Sequence, residues 1–461
     1  MKRKLSTIER LIDGNLCWRI ALEGNLTAEK LRASLDRMQR KHPALRMLIH
    51  EANGEFFYEL DAARQIPLRV VEWVSAEHRT HECETEAYAA FPHDQPQLRV
   101  VWLRRPHDNT PGVHDELLIT SAHRICDGMS MFVIVRELLE GLHSDQALTP
   151  YTALDIQDVI GDFHDKHAWK RKLLARAINS LFSLIPSSRR PLVNREVRLE
   201  WGVSHDVSER LKRRCKTEGV PLHAAMLVAL GEALPVLGKQ APDWIESPID
   251  ARRGRLPALK DDMLFFGGGA FKIASRQDLR RDFWVRARET AEDMRRKIDQ
   301  DIADIPGKYQ FCEMLKPPSA GKIRSIVRLG DAVGRNGSWN RILLSNLGNV
   351  SLDDAASPLQ VKDFTTYVHS FTMRTLGILA HSLHGQLRFV YLGDEMCLRR
   401  EQAEALGHAF TASLDKCTAD GDVVQLASPP QRAHAVSTTN TPTLGLASGH
   451  REHAKSPELL S

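Results

Sequence analysis

The pattern of hydrophobic and polar positions predicts alternating strands and helices along most of the chain. Residues 117–120 form a short apolar-rich run typical of a buried strand, and residues 100–102 form another. Residues 129–142 carry apolar side chains at helical spacing and predict a largely buried helix. Thr27 is a suitable N-cap for the helical pattern that follows it, and this pattern ends before Pro43, because proline disfavours helical geometry in the preceding residue.

The same alternation continues towards the C-terminus. A helix is predicted from near Ser208 to Gly219, and a second from Pro221 to Gly238. The pattern also predicts strands within 44–60, 68–74 and 343–347, a helix over 278–301, a final helix ending near 414 after an apolar segment over 387–392, and an irregular stretch over 143–200. Beyond residue 428 the composition turns to Pro, Ser, Thr, Ala and His without periodicity, which predicts a disordered tail.

Composition and charge mainly exclude classes of function. Hydrophobic residues make up 42% and charged residues 26% of 461 positions, as in ordinary globular proteins, and the length favours two or three domains. A net charge of +4 is too small to indicate nucleic-acid binding, and seven scattered cysteines indicate neither a disulfide framework nor a structural zinc site. Charged residues interrupt the N-terminal segment, and no run of 18 apolar residues occurs, so we expect a cytoplasmic protein without a membrane-spanning helix.

The most informative stretch is residues 116–128, where a strand-like run delivers His123. Asp127 follows four residues later, and Gly128 leads into the helical pattern. Histidine can take a proton from a hydroxyl or an amine, because its ordinary pKa of about 6.5 lies near working pH. The spacing of His123 and Asp127 alone is weak evidence for a catalytic site, since roughly one His-x-x-x-Asp is expected by chance among so many histidines. A histidine that only satisfies its hydrogen bonds in a core turn would give the same pattern.

Further blocks accompany the tetrad in a characteristic order. They are Leu5–Glu9, Leu31–Arg46 ending in His42-Pro43-Ala44-Leu45-Arg46, Pro96–Val100, Gly219–Ala225, Pro248–Arg253, Leu344–Gly348 and the apolar pattern from Leu387 to Leu392. Together they cover residues 5 to about 415 and resemble the chloramphenicol-acetyltransferase-like superfamily. That group includes nonribosomal peptide condensation domains, plant BAHD acyltransferases, alcohol acetyltransferases and mycobacterial polyketide-associated acyltransferases.

The resemblance implies an α/β (α+β) fold of two lobes. Each lobe would place flanking helices against a mixed, largely antiparallel sheet, with an active-site channel between the lobes. We predict an N-terminal lobe over 1–190, a C-terminal lobe over 191–427 and the tail over 428–461.

The sequence differs from two branches of this superfamily in their motifs, and these differences favour some functions over others. Condensation domains usually carry two adjacent histidines, whereas Ala122 occupies the first of these places, which favours O-acyl transfer over peptide-bond formation. The plant-type Asp-Phe-Gly-Trp-Gly block is missing, since Asp363-Phe364 is followed by Thr365-Thr366. A plant-type acyltransferase is therefore not expected.

The resemblance also implies roles for the motif. His123 would be the general base that transfers an acyl group from a thioester to an acceptor hydroxyl, without a covalent acyl-enzyme. Asp127 would pair with Arg252, or failing that with Arg253, and hold the loop in shape. Gly128 would permit a backbone angle or close packing that a side chain would block.

Other residues are assigned less directly. Ser345 and Asn346 supply an oxyanion donor, line the substrate channel or form a plain turn at a strand end. Cys126 has no recognisable base partner and is predicted to be structural. Residues 267–269, three glycines, lack the lysine of a phosphate loop and are expected to allow strands or substrate to approach closely.

The implied substrates are an acyl thioester donor, on coenzyme A or on the phosphopantetheine of an acyl carrier protein, and an alcohol or amine acceptor. We expect no metal, no tightly bound cofactor, no nucleic-acid partner and a monomer. Alternatives are condensation-type amide formation or epimerisation on a carrier-bound substrate, a noncatalytic carrier-docking protein and a lipid-binding protein.

A basic segment over 165–190 alternates cationic and apolar side chains. It would suit peripheral contact with a membrane or with acidic carrier-protein helices. Alternatively, it is a solvated helix that packs its apolar side on the domain.

Overall fold

The protein is a mixed α/β structure of three sheets with flanking helices. The computed structural model describes residues 2–53, 55–61, 64–105, 114–190, 192, 195–252, 256–332, 340–350, 359–371, 374 and 376–419. The predicted tail and Arg253 lie outside these residues.

The strands within this part of the chain are β1 (Lys2–Lys4), β2 (Gly14–Glu23), β3 (Met47–Ala52), β4 (Glu55–Leu60), β5 (Leu68–Glu72), β6 (Leu98–Arg104), β7 (Asp115–Ala122), β8 (Glu196–Gly202), β9 (Trp244–Ile249), β10 (Gly269–Ala274), β11 (Arg341–Asn349), β12 (Gln360–Ser370), β13 (Leu376–Leu383) and β14 (Gln386–Asp394). The α-helices are α1 (Thr7–Leu11), α2 (Ala28–Lys41), α3 (Ala76–Tyr88), α4 (Gly128–Glu140), α5 (Ile156–Ile160), α6 (Ala168–Leu184), α7 (His205–Glu218), α8 (Leu222–Ala233), α9 (Phe283–Glu313), α10 (Ala320–Ala332) and α11 (Arg400–Lys416). Short 3-10 helices cover Pro43–Arg46 and Leu234–Gln240.

The three sheets are mostly antiparallel. Their strand orders are β12-β2-β7-β6-β5, β10-β9-β11-β13-β14-β8 and β1-β4-β3. Among the pairs in the described residues, β5–β6, β9–β11 and β11–β13 are parallel and the others are antiparallel. The predicted fold class of mixed, largely antiparallel sheets with flanking helices is confirmed.

Local signals account for several boundaries. Thr27 caps α2 by accepting a hydrogen bond from the backbone of Lys30, and the helix ends at Lys41, with His42 before Pro43 as its C-cap. Helix α7 ends at Gly219, whose φ of +64° is the left-handed conformation that glycine adopts readily. These predicted ends are confirmed.

Helices α3, α9 and α10 depart from the pattern. The sequence predicts neither α3 nor α10, and only three residues of α3 are buried, so its apolar periodicity is weak. Helix α9 runs past its predicted end at residue 301 and through Pro306 to Glu313. Its last turns bury Ile305 and Tyr309 against the core, which outweighs the proline.

Helix α8 is almost entirely buried in the apolar cluster of the second half of the chain. Together with the following 3-10 helix it forms Leu222–Gln240, which among the described residues is long and apolar enough, by length and composition alone, to cross a membrane. That span is 67% buried within the protein, and a core helix meets the same criterion.

Two large clusters of buried apolar side chains form the core. The cluster in the first half of the chain also contains side chains from the second half. Its members around Leu31, Ile119 and Met131 are joined by Val350 and Phe364. Strand β12 also pairs with β2 over its whole length and forms the edge of the first sheet. The first sheet is thus completed by residues that come late in the chain. The division into lobes at residues 190 and 191 remains a prediction.

A charge cluster that is buried at Arg19 and Glu116 and partly exposed at Asp363 holds β12 in this position. Arg19 of β2 is 6% exposed and pairs with Glu116 of β7 at 3.1 Å and with Asp363 of β12. Asp363 also accepts a hydrogen bond from Arg388 of β14 at 2.6 Å. Asp363 therefore links the first sheet to the second.

Replacing Gly14 by alanine is expected to destabilise this junction. Gly14 faces Ser370 in the β2–β12 ladder, and a Cβ at Gly14 would overlap the carbonyl oxygen of His369. We expect Gly14→Ala to lower the free energy of unfolding, measured by urea denaturation, by about 1–3 kcal/mol. Gly407→Ala is the matched control, because its Cβ would meet Trp201 at an ordinary 3.5 Å inside α11. Equal stability of Gly14→Ala and wild type would contradict the close approach.

Candidate active site

The loop between β7 and α4 fixes the imidazole of His123. The backbone N–H of His123 donates to the carbonyl of Gly14 at 2.8 Å, and Nδ1 lies 2.8 Å from the carbonyl oxygen of Cys126. Because a carbonyl oxygen only accepts, Nδ1 must carry the hydrogen of this contact. In the neutral ring Nε2 is then the nitrogen with the free lone pair.

The surroundings of His123 favour its neutral form. The side chain is half-buried, and its ring packs edge-on against Phe266 with centroids 5.2 Å apart. Burial lowers the pKa of His123 below its ordinary value, and this exceeds the opposing effects of the Cys126 carbonyl and the Asp127 charge. At neutral pH the imidazole can therefore accept a proton at Nε2.

Asp127 holds the loop rather than the imidazole. Its Oδ1 accepts a hydrogen bond from the backbone of Ser130 at 2.8 Å, which caps α4, and its Oδ2 accepts one from Nη1 of Arg252 at 2.9 Å. Burial opposes ionisation of Asp127, but Arg252 and the bonds from Ser130 outweigh it and lower the pKa of the carboxyl group. Within the described residues no hydrogen bond joins Asp127 to His123.

Arg252 connects the motif to the second half of the chain. Its side chain is 2% exposed, and Nη2 donates to Oγ of Ser130 at 2.7 Å and to the carbonyl of Phe265 at 3.2 Å. Asp250 lies 3.4 Å from Nη1 as a second carboxylate. The ion pair expected between Asp127 and Arg252 is present.

The glycines after Phe266 bring a second loop onto the motif. The backbone N–H of Gly267 donates to Oδ2 of Asp127 at 3.3 Å, and a Cβ at Gly267 would lie only 3.2 Å from that oxygen. Gly268 has a φ of +62°, and the hydroxyl of Tyr309 donates to the carbonyl of Phe266 at 2.7 Å. The glycines thus allow the close approach that the sequence predicts, and Phe266 is held against His123.

The end of β11 lies beside the same motif. A Cβ at Gly128 would be 3.1 Å from Leu347, and the φ of Gly128 is not in the left-handed region, so close packing rather than a backbone angle explains this glycine. Ser345 and Asn346 are half-buried just before Leu347. The side chain of Asn346 accepts a hydrogen bond from Gly348 at 3.0 Å, which gives the turn a geometric basis, and the roles of Ser345 and Asn346 in the reaction stay predictions.

A second polar network anchors the loop that leads to Phe265. Glu137 pairs with Nζ of Lys41 at 2.6 Å and with Nε2 of His42 at 2.7 Å, and all three side chains are buried. The hydroxyl of Tyr151 lies 3.0 Å from Nδ1 of His42 and accepts a hydrogen bond from the backbone of Leu264 at 3.0 Å. Residues from four separate parts of the chain thus fix the position of the second loop.

A small cleft with both apolar and charged walls adjoins the motif. Its apolar and aromatic walls include Ile8, Met47, Tyr58, Ile125, Phe265 and Phe266, and its charged walls are Arg3, Glu9 and Arg124. Phe266 both lines this cleft and contacts the ring of His123. The cleft therefore brings an apolar wall close to the imidazole.

Sequence reasoning misses Ser130, Tyr151, Phe266 and Tyr309. Ser130 carried a local signal, because Asp127 stands as N-cap three residues before it. The other three act through contacts between distant parts of the chain, as when Tyr151 binds the backbone of Leu264. No periodicity or motif marks such contacts.

Two further kinds of chemistry that such a site could use are a reactive thiol and a bound metal ion. Within the described residues no disulfide joins any of the seven cysteines, and burial raises the pKa of the Cys126 thiol to about 12, in keeping with a structural residue. Within the described part of the chain, no group of three or more His, Cys, Asp or Glu side chains is placed to hold a metal ion.

Replacing only Arg252 is expected to lower the free energy of unfolding more than replacing both Asp127 and Arg252. Arg252→Met would leave a carboxylate buried without its partner, and we expect the free energy of unfolding to fall by about 3–5 kcal/mol. The double variant Asp127→Asn/Arg252→Met should recover part of this loss. Urea denaturation of the two single variants and the double variant measures the coupling.

Arg280 provides the matched control for this cycle. Its side chain is 91% exposed and pairs with Asp278, so Arg280→Met should change stability little. Additive effects of the Asp127 and Arg252 substitutions would contradict a direct energetic coupling.

Comparison with solved structures finds the same fold in proteins of low sequence identity. Polyketide synthase associated protein 5 from Mycobacterium tuberculosis matches with 15% identity and a TM-score of 0.61, over 90% of this chain and 98% of that one. The epimerization domain from the third module of tyrocidine synthetase B matches with 15% identity and a TM-score of 0.62, over 91% and 96% of the two chains. The EpoB cyclization-docking bidomain from Sorangium cellulosum matches with 13% identity and a TM-score of 0.61, over 91% and 86%. At these identities the likeness establishes the two-lobed fold alone.

Comparison of sequences identifies the family. Tyrocidine synthase 3 of Brevibacillus parabrevis is 22% identical over an alignment of 251 residues, and this match covers 50% of this chain but only 4% of that protein. A family model described as "Condensation domain" matches residues 15–264, more than half of the chain, and this match includes His123, Asp127 and Arg252. The resemblance to the chloramphenicol-acetyltransferase-like superfamily is confirmed, and the chain belongs to the condensation domain family.

Proposed function

We propose that the protein is an acyltransferase that moves an acyl group from a thioester to an acceptor hydroxyl, with His123 as general base. The observation that carries this proposal is the contact between Nδ1 of His123 and the carbonyl of Cys126. It places the free lone pair on Nε2, and burial keeps the ring neutral at neutral pH. Both properties are what a base that removes a hydroxyl proton needs.

The reaction needs no covalent acyl-enzyme. Nε2 of His123 takes the hydroxyl proton as the acceptor oxygen attacks the thioester carbonyl and forms a tetrahedral intermediate. When the intermediate collapses, the carbon–sulfur bond breaks, and the protonated His123 returns its proton to the departing thiolate. The products are an ester and a free thiol, so atoms and charges balance.

The surrounding loops supply the other requirements. Asp127 and Arg252 keep the loop of His123 in shape, and the cleft that Phe266 lines would receive an apolar acyl chain or acceptor. Ser345 and Asn346, next to the Leu347 that packs on Gly128, are the proposed oxyanion donors or channel residues. An oxyanion donor contributes about 10²–10³ to the rate in acyl transfer.

The choice of a hydroxyl acceptor rests on Ala122. This residue ends β7 and is buried, at the place where condensation domains usually carry the first of two adjacent histidines. Superfamily members with a single histidine are common among O-acyl transferases. The donor is proposed to be acyl-coenzyme A or the phosphopantetheine thioester of an acyl carrier protein.

Thiol release from a panel of acyl-coenzyme A and acyl-carrier thioesters, with alcohol and amine acceptors, tests the proposal. We expect acceptor-dependent release by the wild type and a loss of about 10²–10⁴-fold in His123→Ala, because the base is gone. His408→Ala is the matched control, since this histidine is exposed on α11. Mass spectrometry of the product distinguishes an ester from an amide.

Three results would contradict the proposal in different ways. Amide products made only with amine acceptors would support condensation-type chemistry on a carrier. Turnover unaffected by His123→Ala would remove the general base. Tight binding of a carrier protein without turnover of any thioester would support a noncatalytic docking role.

The pH dependence of the reaction follows from the lowered pKa of His123. A general base works when it is unprotonated, so the rate should fall as pH drops through the pKa of His123 and be level above it. Since burial places this pKa below 6.5, kcat/KM measured between pH 5 and 8 should show its acid limb below about pH 6.5. An acid limb centred above pH 7 would contradict a neutral His123 as the base.

A further inference from the structure

Helix α6 turns large apolar side chains towards solvent. Five of them are more than half exposed, at 65% for Trp169, 61% for Leu173, 53% for Leu174, 58% for Leu181 and 80% for Leu184. Ala175 is the buried residue of this helix. Ile178 and Phe182 on the same side as Ala175 are half-buried, so the helix packs one apolar side on the domain and exposes a second apolar set to solvent.

The exposed apolar residues share one side of the helix. At about 100° per residue, Trp169, Leu173, Leu174, Leu181 and Leu184 fall within an arc of about 140°. Ala175 lies on the opposite side, which faces the protein. The apolar arc therefore forms a convex ridge along the helix.

Positive charge lies within this ridge at Lys170 and along one edge of it at Lys172 and Arg176. Lys170, Lys172 and Arg176 are exposed on α6, and the helix contains no Asp or Glu. Lys170 lies over the ring of Trp169 at 5.6 Å from its centroid. Further exposed cations stand just outside the helix, at Lys166 before it and Arg189-Arg190 after it.

Contacts on the inner side hold α6 in this orientation. Arg171 pairs with Asp165 at 2.9 Å and with Asp304 of α9. Asn179 donates to the carbonyl of Met314 at 3.0 Å, and Lys322 of α10 donates to the carbonyl of Phe182 at 2.7 Å. The outward position of the apolar ridge is thus set by specific contacts at both ends of the helix.

We propose that α6 is an interfacial helix that binds the surface of an anionic membrane. Its convex apolar ridge with tryptophan and leucine would enter the boundary between headgroups and acyl chains. Lys170 and the cations beside the ridge would extend their charged ends to the level of the headgroups and select anionic lipids. A ridge of this kind fits a deformable lipid surface, and its positive charge complements acidic headgroups.

Co-sedimentation with vesicles of phosphatidylcholine, with and without phosphatidylglycerol, tests this proposal on the full chain. We expect the wild type to bind the anionic vesicles and to be released by salt. Reversal of three charges, Lys170→Glu, Lys172→Glu and Arg176→Glu, should weaken binding by more than about 100-fold, at about fivefold for each charge removed.

Matched variants separate this surface from general charge and hydrophobicity. Arg213→Glu, Lys216→Glu and Arg295→Glu remove as many exposed cations from α7 and α9 and should leave most of the binding intact. Leu173→Ser with Leu181→Ser should weaken binding, whereas Val236→Ser with Leu279→Ser, at 52% and 55% exposed, should not. All of these side chains are exposed, so the variants are expected to fold.

Failure of wild-type binding, or equal binding by the α6 variants and their controls, would overturn the proposal. A wild-type dimer that Leu173→Ser converts to a monomer, measured by light scattering, would instead assign the ridge to a second copy of the chain. Because vesicle binding requires no substrate, these results do not depend on the proposed acyl transfer.

Discussion

The buried ion pair between Asp127 and Arg252 is the contact on which the candidate site depends. Removing a guanidinium group from water costs several kcal/mol, and it is offset only where charges and hydrogen-bond acceptors are in place around it. Here these are Asp127, Ser130 and the carbonyl of Phe265. The pair therefore fixes the loop that carries Asp127 against the loop that carries Phe265. Each of these loops depends on contacts with the other for its position.

This arrangement gives the imidazole its chemical character through groups that are not themselves reactive. The carbonyl of Cys126 selects the tautomer of His123, and Phe266 covers one edge of its ring. Phe266 in turn is held by Tyr309 and by the left-handed turn at Gly268. A change in any of these would alter His123 without touching it.

Much of this architecture is visible in the sequence where the signals are local. The strand before His123, the helix after it and the cap at Thr27 follow from periodicity and capping, and the family resemblance supplied Arg252 as a partner for Asp127. The packing of Phe266 on His123 could not be predicted in this way, because it depends on a loop placed by the rest of the fold. The same holds for Tyr151, whose hydroxyl binds a backbone group more than one hundred residues away.

The pairing of β12 with β2 has a consequence for how the chain is made. During synthesis, β2, β7, β6 and β5 are complete long before residues 360–370 exist. Until then the edge of β2 presents unpaired backbone groups, and Arg19 lacks one of its two carboxylate partners. The nascent first half therefore has an open sheet edge until β12 is made, and such an edge favours aggregation and chaperone binding.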